Sequence, residues 1–281
     1  MIKQALEQWD EFWFKPTTET IAKRTRISLA IFVAVWFASF LPTASTWFGA
    51  DGILNLAHSS SLLGFAEVSR SLNWSPLWLT DSILVYQAWL LGGIALALVV
   101  ASGWGGRPAV AALSVMAIAW SHRIFWLTGP VEPAMMAMLM YVLVQPATRV
   151  GKQDDSLRSS NQLAVRLVQV HTWILLAAGC LSSLASLSWW RGEGAWWLAA
   201  TGRSTLFTMT FFEGRPWLVN LASHLLIVMY GLTLWLLTKP AVRPLGLIAA
   251  AILCMTLGLI GDQVLYAALL AIGASAFASR Q

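Results

Sequence analysis

The sequence predicts an all-α integral membrane protein, a polytopic bundle of about eight transmembrane helices. Of its 281 residues, 58% are hydrophobic and only 11% are charged, whereas a soluble domain carries about 25% charged residues. Several apolar stretches approach the roughly 20 residues that cross a bilayer. The 17 tryptophans are typical of membrane–water interfaces, where an amphipathic indole ring is stable. The lipid bilayer is therefore the predicted partner of most of the chain.

Residues 1–26 are predicted to form an amphipathic segment ahead of the bundle. Ile2, Leu6, Trp9 and Trp13 recur at spacings of three and four with charged residues opposite, the pattern of a helix with one apolar face. We expect this helix to lie flat in the membrane interface, and binding to a partner helix is the alternative. The charged stretch before the first span exceeds the n-region of a signal peptide, so we expect that span to be retained.

Residues 27–281 are predicted to form a single transmembrane domain. The predicted spans are 27–47, 83–102, 109–126, 132–144, 167–190, 217–238 and two short spans within 245–278. The tail is divided because a charge at the bilayer centre costs about 2.5–3.5 kcal/mol, which places Asp262 at an interface. One long helix broken at Gly258 or Gly261 is the alternative.

The distribution of basic residues predicts a cytoplasmic N-terminus. Eight spans place all but five of the 18 lysines and arginines in cytoplasmic segments, as the positive-inside rule requires. The exceptions are Arg70, Arg123, Arg191, Arg203 and Arg215. The net charge of +5 thus reflects topology, so we expect no nucleic-acid partner, and we expect the protein in a bacterial inner (cytoplasmic) membrane.

The candidate catalytic residues are His122 and Glu132, which flank the turn between the third and fourth spans. All five lysines fall on the cytoplasmic side, so an outer polar site must use carboxylates, arginine and histidine. A cation ending one helix and an anion beginning the next are stabilised by the helix dipoles, which is a sufficient structural explanation. Proton transfer between His122 and Glu132 is the functional alternative.

The candidate substrate-binding residues are Asp51, Arg123, Arg191 and Glu193. Asp51 lies in the connection 48–80, and connections of this length are often functional. Arg191 and Glu193 interrupt a tryptophan cluster, where they neutralise each other or, facing a cavity, bind a carboxylate or an amide.

Two further observations concern ligands and membrane histidines. No grouping of His, Cys or carboxylates has metal-ligand spacing, so no metal is predicted. His224 lies inside the sixth span, where an ionisable residue faces a cavity or bonds to a neighbouring helix carbonyl.

The order of four landmarks resembles that of the HTTM superfamily, which includes the vitamin K-dependent gamma-carboxylases. The landmarks are GADGILN at 49–55, SHR at 121–123 with Gly129 and Glu132, LSSL at 181–184 leading to WWRGEG at 189–194, and the final apolar pair of segments. Together they extend over nearly the whole chain. The resemblance implies a helical bundle with a site on its outer side.

The same resemblance argues against carboxylation. In the carboxylases the site oxidises reduced vitamin K while carboxylating glutamate, and its base is a lysine in the stretch matching 181–184. Ser183 occupies that position here, and serine cannot act as that base. The acidic run of the family is reduced to Glu132.

Two functions are therefore considered. The first is a membrane enzyme acting on a lipid-soluble or peptide substrate at the outer face, without lysine-dependent carboxylation, and the sequence does not establish whether it uses a cofactor. His122 or Glu132 would transfer protons, and Asp51, Arg123, Arg191 and Glu193 would bind the substrate. The alternative is a non-catalytic membrane accessory protein for peptide maturation or export.

Overall fold

The computed structural model describes residues 7, 9–10, 12–13, 19–65, 74–145, 155–201, 213–261 and 263–278. Twelve α-helices run through these residues, and no strand occurs among them. The helices are α1 Glu19–Phe40, α2 Ala44–Phe48, α3 Leu56–Phe65, α4 Ile83–Ser102, α5 Gly106–Arg123, α6 Val131–Leu143, α7 Asp155–Ala185, α8 Leu187–Trp190, α9 Gly194–Thr201, α10 Pro216–Thr238, α11 Arg243–Ile260 and α12 Val264–Ser275.

Five helical stretches are long and apolar enough to cross a bilayer, which indicates an integral membrane protein. They are Thr20–Phe48, Ile83–Ser102, Ser160–Ala185, Pro216–Thr238 and Pro240–Leu259. Helices α5, α6 and α12 occupy the other three predicted positions. The all-helical fold of the described residues, with several helices able to span a membrane, is thus confirmed, while the bundle of eight spans and the cytoplasmic N-terminus stay predictions.

Helix α4 shows how such a helix meets lipid. Leu84 is 72% exposed and Leu91 and Leu98 are each 55% exposed, while Tyr86 and Leu90 are fully buried. A helix that is apolar all round would lie inside a soluble protein. Here its outer leucines have no protein cover, as expected of side chains that face acyl chains.

The C-terminal tail forms two helices. Helices α11 and α12 pack against each other, and the chain changes direction at Gly261, where the N–H groups of Gly261 and Gln263 both donate to Leu257 O at 3.1 and 3.2 Å. The division of 245–278 into two segments is therefore correct as secondary structure, with the break at Gly261. Asp262, which motivated the division, lies outside the described residues.

The described chain folds as two compact units. One comprises residues 26–160, and the other comprises 1–25 together with 161–281. The predicted division into a segment 1–26 and a single domain 27–281 stays a prediction.

The core of the unit 26–160 is aromatic. The ring centroids of Phe48 and Trp120 lie 5.1 Å apart, and Tyr86 lies 5.6 Å from Phe48. Trp36 and Phe37 extend this cluster along α1 at 4.9 Å. Offset and edge-on aromatic pairs of this kind stabilise a core beyond their buried area. The cluster places the C-terminal end of α5 beside α2 and α4.

In the other unit, the described part of the N-terminal segment is helical and packs on α7. Phe12 stacks on Trp173 at 5.4 Å, the guanidinium of Arg166 lies 4.7 Å from the Phe12 ring, and Gln162 donates to the carbonyl of Trp13. Trp9 is 60% exposed. This segment contacts its own chain through one face, while its position in the membrane interface stays a prediction.

Helices α7 and α10 approach closely at Gly179. A Cβ atom added to Gly179 would lie 2.5 Å from Cε1 of Tyr230, whose side chain is 6% exposed. Small residues at membrane helix interfaces permit this close approach, so Gly179 belongs to a packing face between α7 and α10.

We expect Gly179→Ala to lower the free energy of unfolding by about 1–3 kcal/mol, because overpacking forces the helices apart. Thermal unfolding of the detergent-solubilised protein measures this. Gly231→Ala is the matched control, since its Cβ would meet only Cys180 Sγ at 3.7 Å. Equal losses in both variants would contradict close packing at Gly179.

Candidate functional site

Arg123 is the centre of a buried polar cluster at the C-terminal end of α5. Its side chain is 1% exposed. Nε donates to Tyr86 Oη at 3.0 Å, Nη1 donates to Ser59 Oγ at 3.1 Å and Nη2 donates to the Leu54 carbonyl at 2.6 Å. Each nitrogen of the guanidinium is therefore bound by the protein itself.

Three aromatic rings surround the same guanidinium. Its central carbon lies 4.8 Å from the Trp78 ring, 5.2 Å from Phe48 and 5.3 Å from Tyr86. Burial of a charge costs several kcal/mol unless hydrogen bonds compensate for lost water. Here hydrogen bonds and cation–π contacts together replace that water.

The partners of Arg123 are bonded in turn to the connection between α2 and α4. Tyr86 Oη lies 2.6 Å from the Thr80 carbonyl and 3.2 Å from that of Leu77, and Ser59 Oγ donates to Leu54 O at 3.0 Å. Asp81 Oδ1 accepts from the Leu56 N–H at 2.9 Å. Arg123 thus fastens the start of α3 and the turn before α4 to the end of α5.

Glu132 is also buried and bound within the protein. It lies in the first turn of α6 and is 7% exposed. Its Oε2 accepts from the Gly129 N–H at 2.8 Å, and its Oε1 accepts from Trp36 Nε1 at 3.2 Å. A carboxylate at this position satisfies a backbone donor ahead of the helix and complements its dipole. Glu132 therefore starts α6 and joins it to α1.

His122 is partly exposed, and one nitrogen of its ring contacts a backbone carbonyl. Nδ1 lies 2.9 Å from the Trp74 carbonyl oxygen. A carbonyl oxygen can only accept, so Nδ1 carries a proton and Nε2 of the neutral ring is an acceptor. Within the described residues Nε2 has no hydrogen-bond partner, and no hydrogen bond joins His122 to Glu132. The predicted proton-transfer pair is thus not assembled, although His122 alone has a base in position.

Asp51 is exposed in the tight turn that carries the first landmark. The Gly52 N–H donates to Gly49 O at 2.8 Å and the Leu54 N–H donates to Trp47 O at 2.7 Å. Asn55 Oδ1 then accepts from the His58 N–H at 2.9 Å in the first turn of α3. The landmark is therefore a turn followed by a helix cap, and it delivers the Leu54 carbonyl to Arg123.

Arg191 and Glu193 lie in the other unit, exposed on a turn held against α10. Ser223 Oγ accepts from the Ala195 N–H at 2.9 Å and lies 2.9 Å from Gly192 O. Asn220 Nδ2 donates to Arg191 O at 3.3 Å. The side chains of Arg191 and Glu193 are both described, no ion pair joins them, and both are exposed.

Two other residues considered in the sequence form hydrogen bonds within their own helices. Ser183 is 4% exposed and its hydroxyl donates to Gly179 O at 2.8 Å. His224 Nδ1 lies 2.8 Å from Asn220 O, a carbonyl of its own helix one turn back, and not from a carbonyl of a neighbouring helix. The His224 ring also lines a recess of about 610 Å³ with Trp217 and Asn220, which agrees with the alternative that it faces a cavity.

Tyr86, Ser59 and Trp36 are polar partners that sequence reasoning missed. Tyr86 and Trp36 lie inside apolar stretches, and their polar tips are the one available signal, because a buried Tyr or Trp usually finds a hydrogen-bond partner. Among the described residues, no group of three or more His, Cys, Asp or Glu side chains is placed to hold a metal ion.

Comparison with known proteins returned no match to a family model, a curated protein or a solved structure.

Proposed function

We propose that the chain is an HTTM-like integral membrane protein that works without catalysis, as an accessory protein for peptide maturation or export. The burial and bonding of Arg123 carry this proposal. A group that binds or transforms a substrate needs unused hydrogen-bonding capacity at an accessible surface. Arg123 is 1% exposed, and each of its three nitrogens already donates to Tyr86, Ser59 or Leu54.

Glu132 supports the same proposal. Both of its oxygens accept hydrogen bonds from the protein, and this arrangement explains its place at the start of α6 without a catalytic role. Residue 183 supports the proposal as well. It is a serine, whereas the carboxylases have the lysine that acts as their base in the matching stretch.

The turn 189–194 is the surface that we assign to partner binding. Arg191 and Glu193 are exposed on it, and Trp190 and Trp197 beside them are 56% and 57% exposed. Rigid aromatic side chains next to charged groups are favourable for peptide contacts because little conformational entropy is lost on binding.

A second candidate is acid–base catalysis by His122 on a lipid-soluble or peptide substrate. The observation that favours it is the geometry of the ring. Nδ1 is held by Trp74 O, which orients the imidazole and leaves Nε2 able to accept a proton.

His122→Asn separates the two candidates. The asparagine amide nitrogen can replace Nδ1 as donor to Trp74 O, while Nε2 is lost. We expect cells expressing this variant to give lipid and peptide extracts with the same masses as wild-type cells, because no chemistry depends on Nε2. Mass spectrometry of the extracts, at matched protein levels, makes the comparison.

A species made by the wild type and lost in His122→Asn would overturn the accessory function and support catalysis. The binding surface is tested by the double variant Arg191→Ser, Glu193→Ser, with Lys239→Ser as an exposed control at the far end of α10. We expect a co-purifying peptide to be lost only from the double variant. Its retention there would contradict the assigned surface.

A further inference from the structure

A small recess lies at the opposite end of α5 from Arg123. It forms where the start of α1, the turn between α4 and α5, and the end of α6 meet, and Arg26, Gly103, Gly106 and Gln145 line it. Its volume is about 10 Å³, which admits a single oxygen atom of the size of a water molecule. All of these residues belong to the unit 26–160.

The Gln145 side chain at this recess points to an acceptor that none of the described residues supplies. Gln145 is 4% exposed, and its Nε2 is buried with no hydrogen-bond partner among the described residues. An unsatisfied buried donor costs about 1–3 kcal/mol. Arg26, 6% exposed, brings a positive charge to the same wall. None of the described residues that line the recess is acidic.

The backbone adds a second positive feature. Helix α5 has 18 residues and begins at Gly106. Gly105, which precedes it, has no side chain that could cap the first N–H groups of the helix. The first N–H groups of a helix, with the positive end of its dipole, attract anions. Because Gly105 and Gly106 have φ of 75° and 54° and carry no Cβ, an anion can reach this backbone closely.

Arg107 fixes the far wall. Its Nη2 donates to Val144 O at 2.9 Å and its Nε donates to Gln145 O at 3.3 Å. The end of α6 is thereby tied to the start of α5, which holds the Gln145 amide at the recess. The donors are thus placed before any ligand binds, which lowers the entropy lost on binding.

We infer that this recess binds one oxygen of a phosphate group. A whole phosphate exceeds the available volume, so one oxygen enters between Arg26, Gln145 and the start of α5 while the rest of the group stays at the mouth. Trp104 lines the mouth and is 79% exposed. A tryptophan at the ends of membrane helices lies at headgroup depth, which makes a phospholipid headgroup the natural source and free phosphate the other source.

The test compares phosphatidylglycerol, diacylglycerol and inorganic phosphate as additions to the full-length protein in maltoside micelles. Thermal unfolding and native mass spectrometry report binding. We expect phosphatidylglycerol to raise the Tm of the wild type, because a ligand that binds only the folded state stabilises it. We expect diacylglycerol to have no effect, since it has the acyl chains without the phosphate.

Gln145→Leu is the decisive variant, because it removes an unsatisfied amide and is therefore expected to fold at least as well as the wild type. Its apparent affinity for phosphatidylglycerol should fall by about tenfold or more, the value of one charge-assisted hydrogen bond. Arg26→Met should show a similar loss, and Arg24→Met, which changes an exposed arginine of the same helix, should show none.

The addition of inorganic phosphate distinguishes a phospholipid headgroup from free phosphate as the source of the bound oxygen. Stabilisation by millimolar phosphate alone would assign the site to soluble phosphate, and stabilisation by the lipid alone would assign it to a headgroup. A wild type that responds to neither, a Gln145→Leu variant that responds as the wild type does, or an equal response to diacylglycerol would overturn the inference.

Discussion

Replacement of Arg123 by glutamine should lower the free energy of unfolding by roughly 3 kcal/mol or more. The variant removes three hydrogen bonds and the cation–π contacts, and it leaves Tyr86 Oη and Ser59 Oγ without the donor that they accept from in a buried site. Thermal unfolding of the detergent-solubilised protein measures the loss.

Arg191→Gln is the matched control, because Arg191 is exposed and should change stability by no more than about 0.5 kcal/mol. Arg123→Lys should lower the free energy of unfolding by nearly as much as Arg123→Gln, because an ammonium group cannot replace the planar guanidinium and its several N–H donors. An Arg123→Gln variant as stable as the Arg191→Gln control would contradict the structural role of Arg123.

Gly192→Ala should lower the free energy of unfolding by about 2–4 kcal/mol, through both backbone strain and overpacking. Gly192 has φ of +77°, and a Cβ atom there would overlap the side chain of Asn220 and lie 2.8 Å from its Cα. The turn 189–194 would be pushed off α10, breaking the Ser223 bonds to Gly192 O and the Ala195 N–H. The Tm of the purified variant measures the effect.

Gly214→Ala separates the two contributions. Gly214 has φ of +70°, but none of the described residues lies within 4 Å of the position that an added Cβ would occupy, so only backbone strain of about 1 kcal/mol is expected. Asn220→Ala should partly rescue Gly192→Ala, because the Asn220 side chain is removed while its Cα stays. Equal losses at Gly192 and Gly214 would show that the turn is not packed on α10.

Helix positions followed from hydropathy, while some helix bounds did not. The predicted span 83–102 coincides with α4, since Gly103 ends the helix in a left-handed conformation with φ of 86°. Helix α5 begins at Gly106, three residues earlier than predicted, because Pro108 lies in the first turn, where its missing N–H is not needed.

Helix α7 differs most from the prediction. It begins at Asp155, whereas the predicted span 167–190 begins twelve residues later, after a polar stretch. Polarity indicated a loop, but polar side chains can extend a membrane helix when protein groups satisfy them. Gln162 donates to Trp13 O and Arg166 Nη1 donates to Gln169 Oε1 at 2.9 Å, so this polar extension is covered by the chain's own N-terminal segment.

The candidate site was predictable in its charges but not in their bonding. Helix dipoles account for Glu132 at the start of α6, where it accepts from the Gly129 N–H. The burial of Arg123 was not predictable, because an arginine ending a helix has the same local pattern whether it meets solvent or an aromatic core. Its partners Tyr86 and Ser59 lie 37 and 64 positions away, and only the tertiary fold brings them together.

The central claim is that Arg123 holds the structure together through its buried partners. A double-mutant cycle with Arg123→Gln and Tyr86→Phe tests it most directly, with unfolding free energies measured for the wild type, both single variants and the double variant. We predict a coupling energy of about 1–3 kcal/mol, because the two side chains share one buried hydrogen-bond network. Losses that add within about 0.5 kcal/mol would contradict the claim.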